Sequence, residues 1–235
     1  MKKQILGAAC AFSLTVVGGY ASAQTTTTDP NATTTSCRPT DPCYDVLPTK
    51  GISNAQTWNG TNAVVSGALN LTVDHALSGV DAAATAVANN FQATGRAASG
   101  VTSNQTFEGE AYATLNAKLP DVTGDVSLKS TAMANNTSLT IDKMGAAVIN
   151  QTVSNRDPSA TLNAKLGDVD GAVDVAATAV NNNASINGDF TTAALSQVSH
   201  AAPVSAVANV NVNTVTGALT AAASAIGNTV SVKGF

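Results

Sequence analysis

The sequence predicts an all-β chain, a β-solenoid of four repeats of about 46 residues behind a flexible tail. Three observations carry this expectation. A set of landmarks recurs at a nearly constant interval, apolar and polar residues alternate within each recurrence, and the composition favours small apolar residues over rings and charges. Of the 235 residues 44% are hydrophobic, yet only 4% are aromatic and 11% charged, under half the usual charged share. A chain so weakly charged is not held open as a disordered polymer, and its length leaves room for one domain or two small ones.

The first element is an export segment, residues 1–23. Met1-Lys2-Lys3-Gln4 is a basic start, residues 5–17 are apolar or small, and Ala21-Ser22-Ala23 forms an A-x-A cleavage site before Gln24. The apolar run is shorter than the roughly 20 residues a spanning helix needs, and Gly18-Gly19 interrupts its end. Cys10 lies inside the run and is expected to leave with it. Residues 24–53 follow as a Thr- and Pro-rich flexible tail. They hold Cys37 and Cys43, an even pair in a chain sent to an oxidising compartment, and a short disulfide loop is expected between them. Their five-residue spacing with two prolines does not provide the C-x-x-C of redox catalysts.

Residues 54–235 are expected to form the solenoid. The run Ala-[Val/Met/Ile]-x-Asn starts at Ala86, Ala132, Ala179 and Ala225, intervals of 46, 47 and 46 residues. Thr114-Leu115-Asn116-Ala117-Lys118-Leu119 returns unchanged at 161–166. Gln56, Gln105, Gln151 and Gln197 recur in Gln-Thr-apolar or related contexts, and Gly79, Gly124, Gly171 and Gly217 mark a turn between landmarks. Inside these units apolar residues alternate, as in Leu69/Leu71/Val73, Leu115/Ala117/Leu119 and Val173/Val175/Ala177/Ala179. A period of two is that of a half-buried strand. Each repeat then reads as about four short strands separated by Gly, Asn and Asp turns.

In a solenoid, equivalent positions stack about 4.8 Å apart, so a fixed period is required. A four-bladed propeller would need aromatic blade signatures that are missing here. The period fits either one wide coil of 46 residues or two narrow coils of about 23. Stacking would place Asn89, Asn135, Asn182 and Asn228 at one corner, where Asn tolerates a left-handed backbone and each amide can bond its copies. Gln56, Gln105, Gln151 and Gln197, with apolar residues two positions away, are expected to face inward and to satisfy one another.

Catalytic and metal-binding chemistry each has characteristic spacings. His75 and His200 have no Cys or His partner at metal-ligand spacing, and no G-x-S-x-G, G-x-x-x-x-G-K or G-x-G-x-x-G occurs. Asp168 and Asp170 with Asp174, beside Gly171, form the one acidic constellation of the type that oxygen-seeking Ca²⁺ uses. The fourth repeat has no carboxylate there, so solvated turn aspartates are the expectation, with no cofactor and no enzymatic activity. A net charge of -4 with 11 scattered Lys and Arg leaves no footprint for nucleic acid.

The signal, the low charge, the few aromatics and the Ser/Asn/Gln/Ala/Val/Gly repeats with recurring Gln and Asn resemble curli-type surface fibre proteins and the curli-like holdfast-anchor proteins of stalked alphaproteobacteria. The resemblance covers residues 54–235, in a repeat longer than that of curli. It implies fibre assembly and surface attachment. The expected function is therefore that of a secreted structural protein at the bacterial cell surface, the subunit or anchor of an extracellular fibre or adhesive layer. Its expected partners are further copies of itself in fibres or end-to-end oligomers, with surface-anchoring or secretion partners. Two alternatives are a polysaccharide-binding module, which would want more aromatic platforms than Trp58 and three Tyr provide, and an outer-membrane β-barrel, which would want aromatic girdles.

Overall fold

The computed structural model describes residues 12–17, 51–155 and 158–234. Alternation makes strands of almost all of them: β1 (Phe12–Val17), β2 (Ile52–Thr72), β3 (Val80–Ala98), β4 (Val101–Val122), β5 (Val126–Ser154), β6 (Pro158–Val169), β7 (Val173–His200), β8 (Ser205–Val215) and β9 (Leu219–Lys233). The recurrence decides whom they pair with. Every pairing among the described residues is parallel, and those among β2 to β9 join a residue to its equivalent one turn later, as in Leu115 with Leu162, Asn135 with Asn182 and Gln105 with Gln151. The offset is 46 or 47 residues nearly everywhere, so a turn of the solenoid is one wide coil. In β2 it changes from 49 to 46 across the irregularity between Asn59 and Val64, where the first turn carries three extra residues. Parallel pairing throughout the described residues also removes the outer-membrane barrel, whose strands run antiparallel.

Each turn is a flattened loop of two long walls. One wall stacks β3, the first part of β5, the first part of β7, and β9. The other stacks β2, β4, the end of β5 with β6, and the end of β7 with β8. Small inward residues let the walls approach closely. A Cβ on Gly67 would lie 2.2 Å from Thr85 O across the gap, and Ser130 Oγ donates to Ala113 O at 2.9 Å. Turn glycines stack as well. Gly124 has φ of 150°, and a Cβ on Gly171 would stand 2.4 Å from Gly124 C.

Two expectations need correction. Short strands broken at turns are replaced by long ones, β5 reaching 29 residues, because hydrogen bonds run between turns and pairing survives a bend. The Asn corner is not left-handed: the only non-glycine residues with positive φ among the described residues are Asn155 and Ala201. The wall bends at Ala88-Asn89 and Ala134-Asn135 by turning two consecutive side chains inward, which shifts the phase of alternation.

The strand region begins at Ile52, two residues before the expected boundary. The Cys37–Cys43 pair, the cleavage site and Phe235 lie outside the described residues. β1, inside the segment read as an export signal, pairs in parallel with residues 80–85 of β3.

Candidate functional site

The most unusual chemistry of the interior is a wall of buried amides. Gln56, Gln105, Gln151, Asn89, Asn135 and Asn182 are all buried, and Gln197 is half-buried. A lone buried amide is costly because its donors and acceptor lose water. Stacking at one strand spacing removes that cost. Asn89 Nδ2 donates to Asn135 Oδ1, Asn135 to Asn182 and Asn182 to Asn228, at 2.8, 2.8 and 2.7 Å. The glutamines run in the opposite sense: Gln105 Nε2 donates to Gln56 Oε1, Gln151 to Gln105 and Gln197 to Gln151, at 2.7, 2.8 and 2.7 Å.

The remaining donors reach across the loop. Asn89, Asn135 and Asn182 donate to Thr106 O, Thr152 O and Val198 O on the opposite wall. Gln56, Gln105, Gln151 and Gln197 return the bond to Asn90 O, Asn136 O, Asn183 O and Thr229 O. These reciprocal bonds pinch the walls together along a polar seam. The hydrophobic interior falls into two separate clusters, one around Leu115, Leu128 and Leu162, the other around Leu139, Ile149 and Ile186. Ser103 and Thr137 extend the network, with Ser103 Oγ 3.3 Å from Thr137 Oγ1, and Thr137 Oγ1 donating to Gln105 Oε1 at 3.0 Å.

A second amide ladder lies on the outer surface. Asn116 Nδ2 donates to Asn70 Oδ1, Asn163 to Asn116 and Asn209 to Asn163, at 2.7, 2.8 and 2.8 Å. Exposed Lys118 and Lys165 stack beside it, and together they line an open groove of about 700 Å³. The polar alternates of the repeated Thr-Leu-Asn-Ala-Lys-Leu run were the available signal for this ladder. Outward pairs Asn136–Asn90, Asn183–Asn136 and Asn150–Asn104 follow the same rule.

The acidic residues are dispersed. Asp168, Asp170 and Asp174 are exposed, Asp168 pairs in register with Asp121 and Thr214, and Asp170 N donates to Val122 O. No group of three or more His, Cys, Asp or Glu that could hold a metal ion occurs among the described residues. His75 meets Asp121 instead, Nδ1 to Oδ2 at 2.5 Å and 46 residues apart, a contact that metal-ligand spacing does not search for.

The last turn differs from the others. Leu219 and Val230 are 52% and 49% exposed, whereas Val173 and Ala184, their equivalents one turn earlier, are 1% and 0% exposed. Each ladder also ends there on a residue with one neighbour. A family model described as holdfast attachment protein D (HfaD) matches residues 74–235, more than half of the chain. No curated protein and no solved structure matches it.

Proposed function

The chain belongs to the holdfast attachment protein D family, which gives it an adhesive or anchoring role at the cell surface, and from that premise we propose that it acts as a structural, non-enzymatic anchor that self-associates through its strand ends. Export through residues 1–23 delivers it to the surface. There its solenoids stack into curli-like fibres or end-to-end oligomers that hold an adhesive layer to the cell. The observation that carries this reading is the last turn, where apolar side chains lie exposed and β8 and β9, among the described residues, are each paired along one edge only. An open parallel edge is a template for another chain. Electron microscopy and sedimentation of the exported chain, alongside a deletion of residues 191–235, test it. Ordered β-rich assemblies are expected from the intact chain alone, and a chain that stays monomeric at high concentration would overturn the reading.

The outer groove favours a second reading, in which the Asn70–Asn116–Asn163–Asn209 face holds a polysaccharide by its hydroxyl groups. Co-sedimentation with insoluble glycans should then weaken in Asn116→Ala and Asn163→Ala variants. Undiminished co-sedimentation would discard it.

A further inference from the structure

The ladders have a direction, and their directions differ. The inner Asn ladder donates from the first turn toward the last and ends on Asn228 Nδ2, whose nearest acceptor is Gln197 O at 3.4 Å. It begins on Asn89, whose Oδ1 occupies the accepting position of the series. The outer Asn ladder donates the other way, so it ends on Asn209 Oδ1 as acceptor and begins on Asn70 Nδ2 as donor. One end of the solenoid therefore presents a donor at Asn228 and an acceptor at Asn209. The other presents an acceptor at Asn89 and a donor at Asn70.

From this we infer that a second copy of the chain seats head to tail on the last turn, in a single register that places Asn89 of the incoming copy on Asn228 and Asn70 on Asn209. The inference rests on the self-association proposed above and fixes its polarity. Both pairs then form donor-to-acceptor bonds, and both ladders pass through the joint with their sense unchanged. A two-fold joint between identical ends turns the strands antiparallel, so neither ladder passes through it with its sense unchanged. The head-to-tail contact is heterologous and, where its rotation does not close a ring, extends as an open filament.

The backbone agrees. Strands in the two end turns occupy the same three places: residues 193–199 stand in the column of 52–58, 205–211 in that of 66–72 and 219–233 in that of 80–94. The leading edge of β3 also accepts a parallel strand, because β1 already pairs there with Phe12 opposite Val80. In the joint, Leu219 of another copy takes the place of Phe12, and the 15 residues of β9 replace the six of β1. Joining thus requires β1 to have left, as it does if the export segment is removed.

Disulfide trapping tests this. Gln92 and Ser231 lie in one outward column, through Ser138 and Ser185. Across the proposed joint they are neighbours, about 4.8 Å apart and within disulfide range. Within one chain they are three strand spacings apart, about 14 Å, and cannot bond. Gln92→Cys and Ser231→Cys, each in a Cys37→Ser, Cys43→Ser background, are recovered from the cell surface after export, mixed under assembly conditions and mildly oxidised. Covalent dimers are expected at least tenfold more abundant in the mixture than in either variant alone, and the double variant should give a ladder of covalent multimers. Dimers of Gln92→Cys alone or Ser231→Cys alone, in chains that sediment as multimers, would overturn the polarity and leave self-association standing. Multimers that never cross-link would overturn the register. A chain that sediments only as a monomer would overturn the self-association reading itself, and this inference with it.

Discussion

The first turn of the solenoid, residues 52–98, and the last, residues 193–233, are copies of one repeat, yet they are not equally buried. Val80 is 5% exposed and its counterpart Leu219 is 52% exposed. Ala84 and Ala86 are buried, whereas Ala223 is exposed. The difference teaches that burial in this fold is supplied by the neighbouring turn more than by the turn's own sequence. A strand of Ala and Val closes only half of its own core. In repeat proteins the stability is accordingly a sum of weak intrinsic terms and strong nearest-neighbour terms.

Paired substitutions sharpen this contrast. The largest effect is expected from Leu115→Ala, at a fully buried position in the larger core cluster, which should destabilise by about 2 to 5 kcal/mol in denaturant unfolding. Leu219→Ala in the last turn should cost under about 1 kcal/mol in the monomer, because little apolar contact is lost there. Equal losses at both positions would break the comparison.

The amide seam gives the next step. Asn182→Leu should cost about 1 to 3 kcal/mol for each group it orphans, the donor of Asn135 and the acceptor Val198 O among them. Asn228→Leu, one turn on in the same ladder, releases the donors of Asn182 and Ser199 and the acceptor Gln197 O at an exposed position where water can replace the lost partner, and should cost less than half as much. Hydrogen exchange reads both, with protection lost around the interior site and little changed around the terminal one. Gly171→Ala forces a Cβ against Gly124 C and should cost about 1 to 3 kcal/mol by thermal melting. Gly217→Ala meets a similar contact at 2.6 Å on Gly171, but the uncovered last turn can yield, so its cost should be smaller. Least affected should be Lys118→Ala and Lys165→Ala, which are exposed and expected within about 0.5 kcal/mol of the parent.

Much of this architecture was legible because a parallel solenoid gives equivalent residues equivalent surroundings. Asn89, Asn135, Asn182 and Asn228 stand at one inner position, and their 46- or 47-residue spacing is the pairing offset itself. The inward sets Val80/Ala82/Ala84/Ala86 and Leu115/Ala117/Leu119 were readable from a period of two. Coil width was not, since strand partners lie a whole turn apart and no local motif states the distance. Nor was the seam. Its acceptors, Thr106 O, Thr152 O and Asn136 O, are backbone atoms that any side chain could carry. The Asn corner departs from the expected left-handed turn because Asn favours such turns in isolation, whereas here its amide is better satisfied inside a ladder, with no positive φ at these residues.

The division of the interior into two apolar lobes by a polar web has a mechanical consequence. A flattened tube with two unconnected walls would shear and collapse under sideways force, as a hollow strip buckles. The reciprocal Asn and Gln bonds act as the web of a beam, tying flange to flange once in every turn. Tension along the axis is meanwhile divided among all the inter-turn hydrogen bonds of both walls at once, so that no single bond bears it alone.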